Sequence, residues 1–157
     1  MKRIALTLCA VIISAAIFAQ TKTNGANAAN ADQGIKADQV IRFAEMKYNF
    51  GKIKQGVPVT HVFEFTNISA QPLVIESARA SCGCTTPTWP QQPTAKGKGN
   101  KITAGFNASA VGPFEKTIFV TVTGIALPVE LKISGEVLTA EQYAKFEAEK
   151  GSKKDGK

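Results

Sequence analysis

From about residue 41 onward, apolar and polar side chains alternate with a period of two, as they do in a strand that buries one face. Over residues 59 to 66, Val59, His61, Phe63 and Phe65 share one face, while Thr60, Glu64 and Thr66 share the other. Comparable runs cover 41–50, 72–79, 101–107, 115–123 and 127–137, punctuated at Gly51, Gly56, Asn67, Pro72, Gly99, Gly112-Pro113 and Gly124. In the fifth run Ile118, Val120 and Val122 oppose Thr117, Phe119, Thr121 and Thr123; in the sixth Leu127, Val129, Leu131 and Ile133 oppose Glu130, Lys132 and Ser134. The spacing predicts that Phe63, Phe65, Leu73, Ile75, Ile118, Val120, Leu131 and Ile133 form the core. Six or seven short strands over residues 42–138 predict an all-β fold, a sandwich of two antiparallel sheets of immunoglobulin-like size with about seven strands.

The alternation stops at both ends. Lys2 and Arg3 precede an apolar run from Ile4 to Phe18, which ends in Ala19-Gln20; this reads as an export signal over residues 1–19, cleaved after Ala19. The run is shorter than the roughly 20 apolar residues of a spanning helix, so no membrane span is expected after its removal. Cys9 lies inside the run and leaves with it, and the bulky Leu8 before it does not suit a lipidation site. Residues 20–41 are rich in Ala, Asn, Thr and Gly and read as a flexible linker that cannot bury enough surface to order itself. At the other end, Thr139 with Gln142 makes a capping box and Leu138 with Tyr143 is placed as a hydrophobic staple. A short helix is therefore expected over 139–150, beginning at Ala140, with Tyr143 and Phe146 on its apolar edge, followed by a disordered basic tail over 151–157.

Charge and composition narrow the function. The chain carries a formal net charge of +7, and loss of Lys2 and Arg3 with the signal leaves +5, spread along the domain and the tail. Lys96, Lys98 and Lys101 lack the interleaved aromatic residues that base stacking needs, and export argues against a nucleic-acid partner. Catalytic machinery is scarce. His61 is the only histidine and lies in phase with Val59, Phe63 and Phe65, so it reads as a partly buried residue with a satisfied hydrogen bond rather than as a catalytic base. Glu45, Glu64, Glu76, Glu115, Glu130 and Glu136 fall singly along strand-like runs, which gives no acid and base pair. Gly97-Lys98-Gly99 lacks the residues and the strand-to-helix setting of a phosphate-binding loop. No enzymatic activity is expected.

Cys82-Gly83-Cys84 holds the only cysteines of the mature chain. In an extended segment residues i and i+2 point to the same side, with Cα atoms about 6.6 Å apart, near the upper limit for a disulfide; a bend at Gly83 shortens that distance. Three readings stay open: a local disulfide or dithiol that only stiffens the segment, reversible redox chemistry, or a soft-metal site for copper or zinc in which His61 joins Cys82 and Cys84. Trp89, the only tryptophan, sits in a proline-rich stretch with Pro87, Pro90 and Pro93. It reads as a lid over one end of the sandwich, with an exposed binding anchor as the alternative.

Tyr48-Asn49-Phe50-Gly51, Gly56, His61-Val62-Phe63-Glu64-Phe65-Thr66-Asn67, Pro72-Leu73-Val74-Ile75 and Ser81-Cys82-Gly83-Cys84-Thr85, then Phe114, Lys116, the strand to Thr121 and Leu131 to Gly135, together resemble the bacterial family catalogued as domain of unknown function 1573. The resemblance covers about residues 43–138. Two departures stand out: Lys96-Gly97-Lys98-Gly99 replaces a Pro-Gly turn, and the stretch near Val122-Thr123-Gly124 lacks the usual Asn, which suggests a tighter hairpin. The resemblance implies an immunoglobulin-like sandwich in secreted or envelope proteins, with no enzymatic activity established. The expected function is a small exported binding or structural module, in the periplasm or at the cell surface, whose sheet edges or loops contact another envelope protein and which needs no cofactor. The alternative is a periplasmic thiol-redox or copper-handling protein that uses Cys82 and Cys84.

Overall fold

The computed structural model describes residues 35–154. The predicted signal and the linker as far as residue 34 lie outside the described residues, as does the tail from residue 155. Eight strands form two four-stranded sheets: β1 (Ile41–Phe43), β2 (Lys47–Lys54), β3 (Val59–Asn67), β4 (Ile75–Ala80), β5 (Thr85–Thr88), β6 (Gly99–Phe106), β7 (Gly112–Val122) and β8 (Val129–Leu138). One sheet has the order β1-β3-β6-β5 and the other β2-β8-β7-β4. The all-β sandwich expected from the alternation is the fold observed, with eight strands where about seven are expected.

The alternation does what its period implies. Along β3, Phe63, Phe65 and Asn67 are buried while Thr60, Glu64 and Thr66 are exposed. All eight residues named from spacing as core are buried, and Ile102, Ala104, Phe106 and Val137 join them. Leu127 is a correction: it is 77% exposed, because β8 begins only at Val129 and Leu127 belongs to the preceding loop with Pro128. That loop spans residues 123–128, so the hairpin is not the tight one that the missing Asn suggests.

The run 41–50 is also not one strand. Its first part, β1, pairs antiparallel with β3; the chain then crosses to the other sheet through Ala44, Glu45 and Met46, and β2 runs parallel to β8. The sheets are therefore not both antiparallel as expected, since a strand that changes sheets reaches its second partner in the direction it is already travelling. The β2–β8 register breaks between Asn49 and Lys52. There Gly51 takes a φ of +68°, and its N–H donates to the Asn49 side chain at 2.7 Å. Glycine tolerates this left-handed conformation because it has no Cβ. A Cβ on Gly135 of the facing strand would lie 2.7 Å from the Gly51 carbonyl oxygen and 2.9 Å from the Phe114 ring, so the bulge fits only against a second glycine.

The linker expected over 20–41 ends earlier than its composition suggests. Residues 37–39 form a 3-10 turn and Ile41 is 4% exposed, so this stretch belongs to the domain. The helix α1 (Ala140–Lys154) begins where the capping box places it: Thr139 N–H donates to Gln142 Oε1 at 3.0 Å and Gln142 N–H donates to Thr139 Oγ1 at 3.2 Å. It runs four residues past the expected end at Lys150, through Gly151 and Ser152. The helix packs against β2 and β8, with Lys52 Nζ 5.1 Å above the Phe146 ring.

Candidate functional site

Cys82, Gly83 and Cys84 form the corner at which the chain passes from β4, the edge of one sheet, to β5, the edge of the other. The corner is a turn, not an extended segment. Cys82 and Cys84 are joined by a disulfide, and the bend brings their Cα atoms to 5.4 Å, inside the range for such a bond. Backbone and hydroxyl bonds pin both flanks. Ser81 N–H donates to the Thr117 carbonyl at 2.9 Å and Thr117 N–H donates to Ser81 Oγ at 3.3 Å, which ties the first flank to β7. Asn107 N–H donates to the Cys84 carbonyl at 3.1 Å, which ties the second flank to the end of β6. The disulfide thus spans an anchor on each sheet. Both cysteines are partly buried, Cys84 lies against the core, and Cys82 Sγ is 3.9 Å from Thr85 Oγ1. In this oxidised form the pair offers neither a thiolate nucleophile nor a thiolate ligand.

His61 sits elsewhere. It faces inward from β3, opposite Ala104 on β6, and Ala104 in turn lies opposite Pro87 on β5. Two strand spacings of about 4.8 Å each separate His61 from β5, and the disulfide lies further along, past the Thr85 and Phe106 pair. The three candidates do not form one donor set. Among the described residues, no group of three or more His, Cys, Asp or Glu side chains is placed to hold a metal ion.

The surroundings of His61 account for its place. β1 ends at Phe43, so the half of β3 toward Val59 is paired on its β6 side alone, and Tyr48 of β2, from the other sheet, lies against His61 there. The His61 ring stacks on Tyr48 with centroids 3.6 Å apart and planes 8° from parallel, and meets Phe63 edge-on at 4.7 Å. Its Nε2 is 2.9 Å from Glu45 Oε1, in the crossover between the sheets. With its side chain 14% exposed, His61 is a wedge that fills the seam, and Glu45 satisfies its polar edge. Sequence reasoning missed Glu45 and Tyr48 as its partners because it treats 41–50 as one strand on one sheet. Trp89 is partly buried against the core, and its Nε1 has no hydrogen-bond partner among the described residues.

The profile of the family described as protein of unknown function (DUF1573) matches residues 41–137. The chain belongs to the DUF1573 family. No curated protein matches it. Among solved structures, a protein of unknown function from Porphyromonas gingivalis W83 superposes with a TM-score of 0.54 at 15% identity, over 65% of this chain and 49% of that one. The chain thus spans about half the length of that protein. The PapD-like domain 7 of human CEP192 superposes with a TM-score of 0.52 at 11% identity, over 70% of this chain and 94% of the domain. The secreted serine protease VesC from Vibrio cholerae does so with a TM-score of 0.51 at 12% identity, over 64% of this chain and 24% of the protease. At these identities the likeness is one of fold: this DUF1573 domain is an immunoglobulin-like sandwich of two four-stranded sheets.

Proposed function

We propose that this DUF1573 chain is an exported, non-catalytic binding or structural module of the bacterial cell envelope that contacts another envelope protein. The observation that carries the reading is that the residues able to do chemistry are engaged in the frame itself. Cys82 and Cys84 are bonded to each other, His61 is stacked on Tyr48 and paired with Glu45, and Trp89 packs on the core. The strand edges are poor templates for an added strand. β1 has three residues, β5 has four with Pro87 among them, and the pairings of β2 and β4 each carry a register break. Faces and loops are thus better suited than edges to meet a partner.

The test is made on the full chain expressed in a bacterial host and recovered from the envelope. Metal analysis and thiol counting are expected to find no stoichiometric metal and no free thiol before reduction, and cross-linking in the intact envelope should trap a second protein. Stoichiometric copper in the protein as isolated, lost on Cys82→Ser or Cys84→Ser, would overturn the reading.

A further inference from the structure

The two sheets present different outward faces. The β2-β8-β7-β4 sheet turns Lys47, Arg79, Glu115, Glu130 and Lys132 outward, and Lys132 Nζ lies 3.7 Å from Glu115 Oε1, as on a face kept in water. The outward side of the β1-β3-β6-β5 sheet carries Thr60 and Val62 on β3, Thr103 and Gly105 on β6, and Thr86 and Thr88 on β5, neighbours without a single charge. Thr60, Thr86 and Thr88 are exposed, and Val62 is 37% exposed. The centres of protein interfaces are depleted of charged residues, and a β-branched side chain is already stiff, so little freedom is lost when it is covered. The uncharged face has the make-up of a surface that another protein covers.

The register of β3 on β6 says what that protein is. Thr60 lies beside Gly105, Val62 beside Thr103, Glu64 beside Lys101 and Thr66 beside Gly99, all on the outward side. A two-fold axis along the strands, midway between β3 and β6, lays β3 of one copy over β6 of a second and keeps every row in place. Each row is complementary to itself under that rotation. Thr60 and Thr66 stand over glycines, which leave room for them, and Val62 stands over Thr103. Glu64 stands over Lys101, its opposite charge, twice in each dimer, and among the described residues neither of them forms an ion pair within its own chain. Glycine inside a strand weakens it and marks the close approach of another surface. Neither Gly99 nor Gly105 takes a positive φ, and a Cβ on Gly99 would meet nothing nearer than the Phe65 carbonyl oxygen at 3.5 Å, so the fold itself does not require glycine there.

We propose that two copies of this DUF1573 domain pair face to face through the outward side of the β1-β3-β6-β5 sheet, about a two-fold axis that sets Glu64 of each copy against Lys101 of the other. The contact goes beyond the proposed function, since it joins identical chains and needs no second envelope protein. It leaves the charged sheet and the loops open to one. A face of four short strands is at the small end for a specific interface, so the dimer is expected to dissociate in the micromolar range.

The test uses the full chain expressed in a bacterial host, recovered from the envelope and followed by sedimentation velocity across the micromolar range. The unaltered protein is expected to pass from monomer to dimer as its concentration rises. Glu64→Lys and Lys101→Glu are exposed changes that should leave the fold intact by circular dichroism. Each sets two like-charge contacts across the axis and should weaken the dimer about tenfold or more. Mixing the two variants reads the geometry: a pair made of one Glu64→Lys chain and one Lys101→Glu chain has opposite charges in both contacts, so association should return to the unaltered level. Repulsion confined within each chain would not respond to mixing. Lys132→Glu, on the other sheet, should leave association unchanged. A chain that stays monomeric throughout, a dimer indifferent to Glu64→Lys and Lys101→Glu, one that Lys132→Glu weakens as much, or a mixture that fails to associate would each overturn the proposal. None of these results touches the envelope partner, which cross-linking tests separately.

Discussion

Phe63 has no exposed surface and lies between the two sheets, on the same inward row of β3 as His61 and Phe65. Truncation to alanine leaves a cavity that a packed sandwich cannot close, so Phe63→Ala should cost about 3 to 5 kcal/mol in urea unfolding. A loss under about 1 kcal/mol would mean that the inner face has been misassigned. Asn67 is equally buried, for a different reason. Its side-chain amide donates to the Gln71 and Thr94 carbonyls, both at 2.8 Å, and its Oδ1 accepts from the backbone N–H and the hydroxyl of Ser69 at 2.9 and 2.7 Å. One side chain thus closes the turn after β3 and fastens it to the loop before β6. Asn67→Ala removes all four bonds and should cost about 3 kcal/mol, with faster amide hydrogen exchange in residues 68–72 as the local sign. Gly135→Ala should destabilise by about 1 to 3 kcal/mol, because the added methyl collides with the Gly51 carbonyl and the Phe114 ring, and backbone yields less readily than a side chain.

At the scale of elements, α1 is held by little. Among the described residues of the helix, Tyr143 and Phe146 are the half-buried large side chains, and residues 147–151 are exposed. Ending the chain after Thr139 should therefore leave the sandwich folded and cost about 2 kcal/mol, which thermal unfolding would report. A truncated chain that fails to fold would show that the helix is part of the core. The long strands and this helix were legible in the sequence because each repeats one signal over many residues, as in the alternation of β3, β7 and β8 or the reciprocal cap at Thr139 and Gln142. β5 was not legible, since Thr85-Thr86-Pro87-Thr88 has no apolar alternation and contains a proline. The change of sheet at Ala44–Met46 was not legible either. A strand that continues in one direction leaves no local mark when its partner changes, and for that reason the seam around His61, Tyr48 and Glu45 stayed hidden. Leu127 kept the period of β8 and yet lies outside it, because periodicity does not report where pairing begins.

For the molecule as a whole, the disulfide is a local fastening. A loop this small gives about 1.6 kcal/mol in the chain-entropy account, so the Cys82→Ser, Cys84→Ser double variant should fold and lose no more than that. Loss of folding would show that the corner holds the two sheets together more strongly than its loop size allows. The parallel pairing of β2 with β8 bears on how the chain is made. Lys47 pairs with Lys132, 85 positions later, and the last strand lies in the middle of its sheet between β2 and β7. The second sheet therefore has no centre until almost the whole domain has been synthesised, and contacts so distant in sequence form slowly. A chain ending at Leu127 should stay unfolded by circular dichroism and be cut readily by protease. For an exported module, as proposed above, a sheet whose inner strand comes last keeps the chain open until it has been threaded through the membrane.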